Sequence, residues 1–143
     1  MQLYSYSLAL RIWHPSIDPV VITKKLSITP KHAYMAGRPR QTPNGRLLGG
    51  NHAQSYWHAD PFAAGEYSST DEIAEDALAD VTKALQPHRH FLLLLREQGA
   101  RLHLRISSFS RRNYALELSP DFLAECSALG LSIVHDVYPC SQN

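Results

Sequence analysis

The chain has 143 residues, 14 of them Lys or Arg and 13 Asp or Glu, for a formal charge of +1 at pH 7. Hydrophobic residues make up 44% and charged residues 19%, the balance of an ordinary globular chain and an expectation of one domain over 1–143. These figures exclude a uniformly polybasic nucleic-acid binder and an acidic disordered tail, and two cysteines, Cys126 and Cys140, are too few for a disulfide-built scaffold.

Met1 to Ser7 lacks a basic stretch followed by a sustained apolar one, so no secretory signal is expected. The longest apolar run, Phe91 to Leu95, is five residues against the ~20 a bilayer span needs. A cytoplasmic setting follows as the expectation, with both thiols reduced and no Cys126–Cys140 bridge.

Tyr4, Tyr6, Leu8, Leu10 and Ile12 alternate with Ser5, Ser7, Ala9, Arg11 and Trp13, the period-two pattern of a strand with one buried face. Asp18-Pro19 reads as a helix start, because Asp accepts free end N–H groups and Pro needs no partner at the first position. That helix, Pro19 to Leu26, is stopped before Thr29-Pro30. His32–Gly37 and Gln54–Asp60 read as hairpin arms around a long tip containing Arg38, Arg40, Thr42-Pro43-Asn44-Gly45 and Arg46.

Ser69-Thr70-Asp71-Glu72 fits a capping box, and Ile73, Ala77, Leu78, Val81 and Leu85 line one face of the helix after it. Pro87 breaks that helix, and a second runs from His88 to Gln98 before Gly99. Arg101 to Phe109 alternates again, with Leu102, Leu104 and Ile106 inward. A turn at Ser110–Asn113 leads to a further strand carrying Tyr114, Leu116 and Leu118. Ser119-Pro120 opens a last helix that Gly130 closes, and Leu131 to Tyr138 forms the final strand.

The fold class is therefore α+β: a single, largely antiparallel sheet with helices packed on one face. Its N-terminal part is ferredoxin-like (β-α-β-β-α-β), and a β-α-β unit extends it. Strand alternation assigns Arg11, Trp13, Arg101, His103, Arg105, Glu117, Asp136 and Tyr138 to the face without helices. That face is either a solvated surface or a binding platform, since Trp, Tyr and Arg carry much of the energy of protein interfaces.

Catalytic motifs are missing: no phosphate-binding Gly-rich loop, no nucleophile elbow and no H-E-x-x-H. No metal or cofactor is expected. His88 and His90 are two apart at a helix start, so their side chains diverge by about 200° instead of meeting on one ion. Cys126 falls on an apolar helix face and reads as core.

With these elements in place, the chain resembles the bacterial family named domain of unknown function 4279. The likeness rests on Ile17-Asp18-Pro19, Ile22, Leu26, Ile28-Thr29-Pro30, Tyr34, Ala36-Gly37, Trp57 and Leu129-Gly130-Leu131. It implies a small α+β domain with no established activity, so no functional residue is carried over.

The leading expectation is a non-catalytic module that binds another protein, with an immunity-type role, masking a toxin, as one concrete form. A small-molecule sensor or small hydrolase is the alternative and would need His103, Arg105 and Glu117 to converge on a pocket. An RNA-binding module is a second alternative and would lean on Arg38, Arg40 and Arg46, although the sequence lacks the usual aromatic RNA-binding strand motif. The overall +1 hides a segregation: residues 1–59 sum to +6, residues 60–80 to −7 and residues 81–143 to +2. Such patches steer partners even when the total is near zero.

Overall fold

Strict alternation of large apolar and small or polar side chains lets one strand serve two faces, and β1 (Ser5–His14) does this at the centre of the sheet. The computed structural model describes residues 3–139. Met1, Gln2 and residues 140–143 lie outside the described residues, and with Cys140 goes the question of a Cys126–Cys140 bridge.

The element order is β1, α1 (Pro19–Leu26), β2 (His32–Tyr34), β3 (Pro39–Gln41), β4 (Leu47–Asn51), β5 (Ser55–Ala59), β6 (Glu66–Ser68) and α2 (Ala74–Leu85). A 3-10 turn at Gln86–His88 follows, then α3 (Arg89–Glu97), β7 (Arg101–Ser110), α4 (Pro120–Leu129) and β8 (Ser132–Pro139). The main sheet runs β2-β5-β1-β7-β8, with β6 pairing the first half of β1 on the same edge that β5 pairs further along. Every neighbouring pair is antiparallel except β7 with β8, which is parallel, so the sheet is mixed though mainly antiparallel. No helix of the described residues is long and apolar enough to cross a membrane.

Tyr6, Leu8, Leu10 and Ile12 of β1 join Trp57, Ala59, Leu102, Leu104 and Ile106 in one buried cluster. Ile22 and Leu26 of α1, Leu78 and Val81 of α2, Leu92 and Leu95 of α3, and Cys126 and Leu129 of α4 belong to the same cluster. The helices are therefore all on one face of the sheet. Trp57 is fully buried and donates its indole N–H to Thr23 Oγ1 at 3.0 Å, tying β5 to α1. Burial pushes the Cys126 thiol up to about 11, keeping it protonated at neutral pH.

Local chemistry sets several ends. Asp18 accepts the Val20 N–H at 3.0 Å with Pro19 in the first turn of α1, and Ser119 caps α4 by accepting the Phe122 N–H at 3.1 Å. Gly130 closes α4 at φ +74, where a side chain would collide with Arg96. His14 is buried at the end of β1 and accepts the Ser16 and Ile17 N–H groups at Nδ1 (3.0 and 2.9 Å). Its proton therefore sits on Nε2, facing Gln98 Oε1 at 2.8 Å.

Two sequence expectations are corrected. The Ser69–Glu72 capping box does not form. Ser69 exchanges hydrogen bonds with Tyr4, its Oγ accepting the Tyr4 N–H and its N–H reaching the Tyr4 carbonyl, both at 2.9 Å. Helix α2 starts later, at Ala74, whose N–H is accepted by the Tyr4 hydroxyl at 3.0 Å. Glu72 is turned toward Asp80, and hydrogen bonding to that carboxyl holds Glu72 above the usual carboxylate range.

The expected strand at Tyr114–Leu118 does not form: the segment has no ladder pairing. The free edge of β7 is taken by β8, and a parallel pair needs a crossover, which residues 111–131 provide through α4. Tyr114 stacks on Tyr4 with centroids 4.4 Å apart and hydrogen-bonds Ser108, so its alternation reflects core packing and not a sheet position.

Tyr4→Phe should therefore destabilise the fold by about 1–2 kcal/mol in urea unfolding, because it orphans the buried Ala74 N–H. Glu72→Ala should cost nothing measurable; a loss of similar size at Glu72 would restore the capping-box account.

Candidate functional site

The cross-strand register places side chains in rows across the helix-free face. The row at the far end of β1 reads Tyr34 (β2), Tyr56 (β5), Trp13 (β1) and Arg101 (β7). The next reads His32, His58, Arg11 and His103, with Ser132 of β8 beside them. One residue pair further along are Ala9, Arg105 and Val134, followed by Glu66, Ser7, Ser107 and Asp136. Phe109 and Tyr138 close the face opposite Ser5.

The first two rows form one connected cluster. The Arg11 guanidinium carbon lies 4.6 Å from the Trp13 ring centroid and that of Arg101 lies 4.7 Å from it, so one indole carries two cations. Arg11 also donates Nε–H to the Tyr56 hydroxyl at 2.9 Å. Trp13 contacts Tyr56 at 5.2 Å and meets His103 edge-on at 4.7 Å. Tyr56 continues to Tyr34 at 5.2 Å, and Tyr34 stacks on His52 at 3.7 Å with the rings 10° from parallel. β3 and β4 pair with each other in a separate antiparallel two-stranded ribbon, a second sheet where a single one was expected. His52 follows β4, so this stack anchors the ribbon to the sheet face.

The cluster is electropositive. The one ion pair among the described residues is Arg105–Asp136, at 3.6 Å, in the two rows beyond the cluster. Burial first, and then the charges of Arg105, His32, Arg11 and Lys31, push His58 down to about 4. His103 is lowered by burial and by Arg101 and Arg11. Both imidazoles are thus neutral at pH 7, and the fixed charge belongs to the arginines.

The anticipated residues divide into groups. Arg11, Trp13, Arg101 and His103 meet in this cluster, and Arg105 lies on the same face beside Asp136. Tyr138 shares the face but not the cluster: its partner Phe109 is eight positions beyond Arg101 along β7, roughly 26 Å of strand. Glu117 is not on the face. Its backbone N–H donates to Glu75 Oε2 at 3.3 Å beside α2, because residues 113–119 form the crossover on the helix side. His103, Arg105 and Glu117 therefore do not converge.

Arg38, Arg40 and Arg46 are all exposed on the ribbon or at its base. Its turn is held by the Gly45 N–H on the Thr42 carbonyl and the Arg46 N–H on Thr42 Oγ1, at 2.9 and 3.1 Å. A groove of about 710 Å³ separates the ribbon from β2, with Lys31, His32, Tyr34, Arg38 and His52 in its walls.

Tyr34, Tyr56, His32 and His58 were not anticipated as face residues. The signal was present: Tyr56 and His58 alternate with Ser55, Trp57 and Ala59, whose burial assigns the opposite parity.

The model of the family described as Domain of unknown function (DUF4279) matches residues 3–139, nearly the whole chain. No curated protein and no solved structure matches it.

The low His58 pKa has a defined linkage. The folded state binds fewer protons than the unfolded chain between pH 6.5 and about 4. The His58 contribution is full above pH 6.5 and is lost progressively as pH falls toward 4. Unfolding free energy measured across that window should decline with acid, and His58→Gln should flatten the decline. An unchanged slope in the variant would show that His58 is solvated in the folded state.

Proposed function

The chain belongs to the DUF4279 family, and from the geometry of its helix-free sheet face we propose that it is a non-catalytic module that binds another protein there. The observation that carries this reading is the Tyr34–Tyr56–Trp13 row with Arg11 and Arg101 laid on the indole. Trp, Tyr and Arg are the side chains most often dominant in protein interfaces, and here mutual stacking holds them in place before any partner arrives. Preorganisation lowers the entropy cost of association, which is what a binding surface needs and a solvated face does not.

Masking of a toxin is the concrete form we carry, and a bacterial, cytoplasmic setting belongs to the same proposal. The ferredoxin-like description of the N-terminal part is also ours. It is supported by the order β2-β5-β1-β7 with antiparallel neighbours, α1 joining β1 to β2, and α2 with α3 lying between β5 and β7.

Affinity capture from the native host followed by calorimetry with the captured protein tests the proposal. Trp13→Ala should weaken binding by about 2 kcal/mol, roughly 30-fold, with circular dichroism checking that the chain stays folded. Equal affinity of the variant, or capture of no protein, would overturn it.

A further inference from the structure

We infer that the partner surface seated on this face is an acidic protein segment whose carboxylates are taken by Arg11 and Arg101. The inference rests on the protein-binding reading above and adds the chemistry of the partner.

Three observations favour it. First, among the described residues no carboxylate pairs with the arginines of the two end rows. Arg11 has the Tyr56 hydroxyl and two rings as partners, and Arg101 has the Trp13 ring. The acids on the face, Glu66 and Asp136, stand two rows from Arg11, and Asp136 is already paired with Arg105. Two guanidiniums collected on one indole without a counter-charge make a cationic site whose natural complement is an anion.

Second, the ring faces are occupied. Both guanidiniums lie over Trp13, Tyr56 and His103 contact the indole as well, and Tyr34 is covered by His52. Single-stranded nucleic acid binds such platforms by stacking bases on bare rings, and here those rings already carry side chains. What remains are the in-plane N–H edges of Arg101 and the terminal N–H edge of Arg11, whose Nε–H is already given to Tyr56; such an edge matches a carboxylate through two parallel hydrogen bonds.

Third, the positive surface has direction. From Arg101 it crosses β1 and β5 to Tyr34 and continues into the groove beneath the ribbon, where Lys31 and Arg38 stand with no acid in the lining. The distance from β7 to β2 is three strand spacings, about 14 Å, or four to five residues of extended chain. An acidic segment lying across the strands can therefore meet Arg101, Arg11 and the ribbon base in succession.

Tryptophan emission gives a direct assay, because Trp57 is fully buried and Trp13 stands in the site. Poly-L-glutamate added to the full chain should shift or quench Trp13 emission, with an affinity that falls as salt rises. A Trp13→Phe variant should lose the signal. The double variant Arg11→Gln/Arg101→Gln should bind at least about tenfold more weakly while keeping the wild-type circular dichroism and melting curve.

A thymidine oligonucleotide is titrated in parallel. If it binds as tightly as poly-L-glutamate and loses its affinity in the same double variant, the site is a nucleic-acid site and the inference fails. It also fails if poly-L-glutamate leaves Trp13 unchanged or binds the double variant equally well. Persistent capture of the host protein by the double variant would overturn the carboxylate chemistry while leaving the protein-binding reading intact; undiminished capture by Trp13→Ala, or no capture at all, would overturn the protein-binding reading itself.

Discussion

Central strand β1 is the constraint on which the rest depends. Both of its edges are paired, to β5 and β6 on one side and to β7 on the other, and its two faces have opposite chemistry. The even positions from Tyr6 to Ile12 nucleate the core beneath the helices, while Arg11 and Trp13 must face away. A slip of one residue against β5 or β7 would send an arginine and an indole into that core, so burial fixes the register. The same register sets Tyr56 and Arg101 beside Trp13, and His58 and His103 beside Arg11. The candidate site is therefore a by-product of how the core is built: the hydrophobic demand of one face positions the candidate side chains of the other.

Charge follows the same division. The near-neutral total is a cancellation between a basic N-terminal region and the acidic stretch 60–80. In three dimensions the arginines of β1, β7 and the ribbon sit on or beside the open face, whereas Glu72 just before α2 and Glu75, Asp76 and Asp80 within it lie on the helix layer. The His58 and His103 rings have been stripped of their charge by burial and by neighbouring arginines. What the open face presents at neutral pH is a small number of permanent guanidinium charges on an aromatic bed.

Much of this was legible in the residues, and what was not has physical causes. Period-two alternation located β1 and β7, turn signals marked the arms that hold β2 and β5, and Asp18-Pro19, Ser119-Pro120 and Gly130 marked helix ends, because each of these signals is local. The start of α2 was misread because its cap comes from Tyr4, far along the chain and invisible to any spacing rule. Residues 114–118 imitate a strand because Tyr114, Leu116 and Leu118 pack against the core from an unpaired segment; alternation reports burial on one side, not ladder hydrogen bonds. Strand β6 is three residues long, too short to display a period. The site was half visible: the strands carrying Arg11, Trp13, Arg101 and His103 were read in the right parity, while Tyr34 and Tyr56 required the pairing of β2 and β5 to bring them alongside.

On the proposed function, a partner protein sits on the open face of β2, β5, β1 and β7. Hydrogen exchange of the full chain with and without the captured partner tests it most directly. Protection should be confined to segments 9–13, 32–34, 55–59 and 101–105. Unchanged exchange there, with new protection instead over the α1–α3 groove around Val21, Phe91 and Leu94, would contradict it.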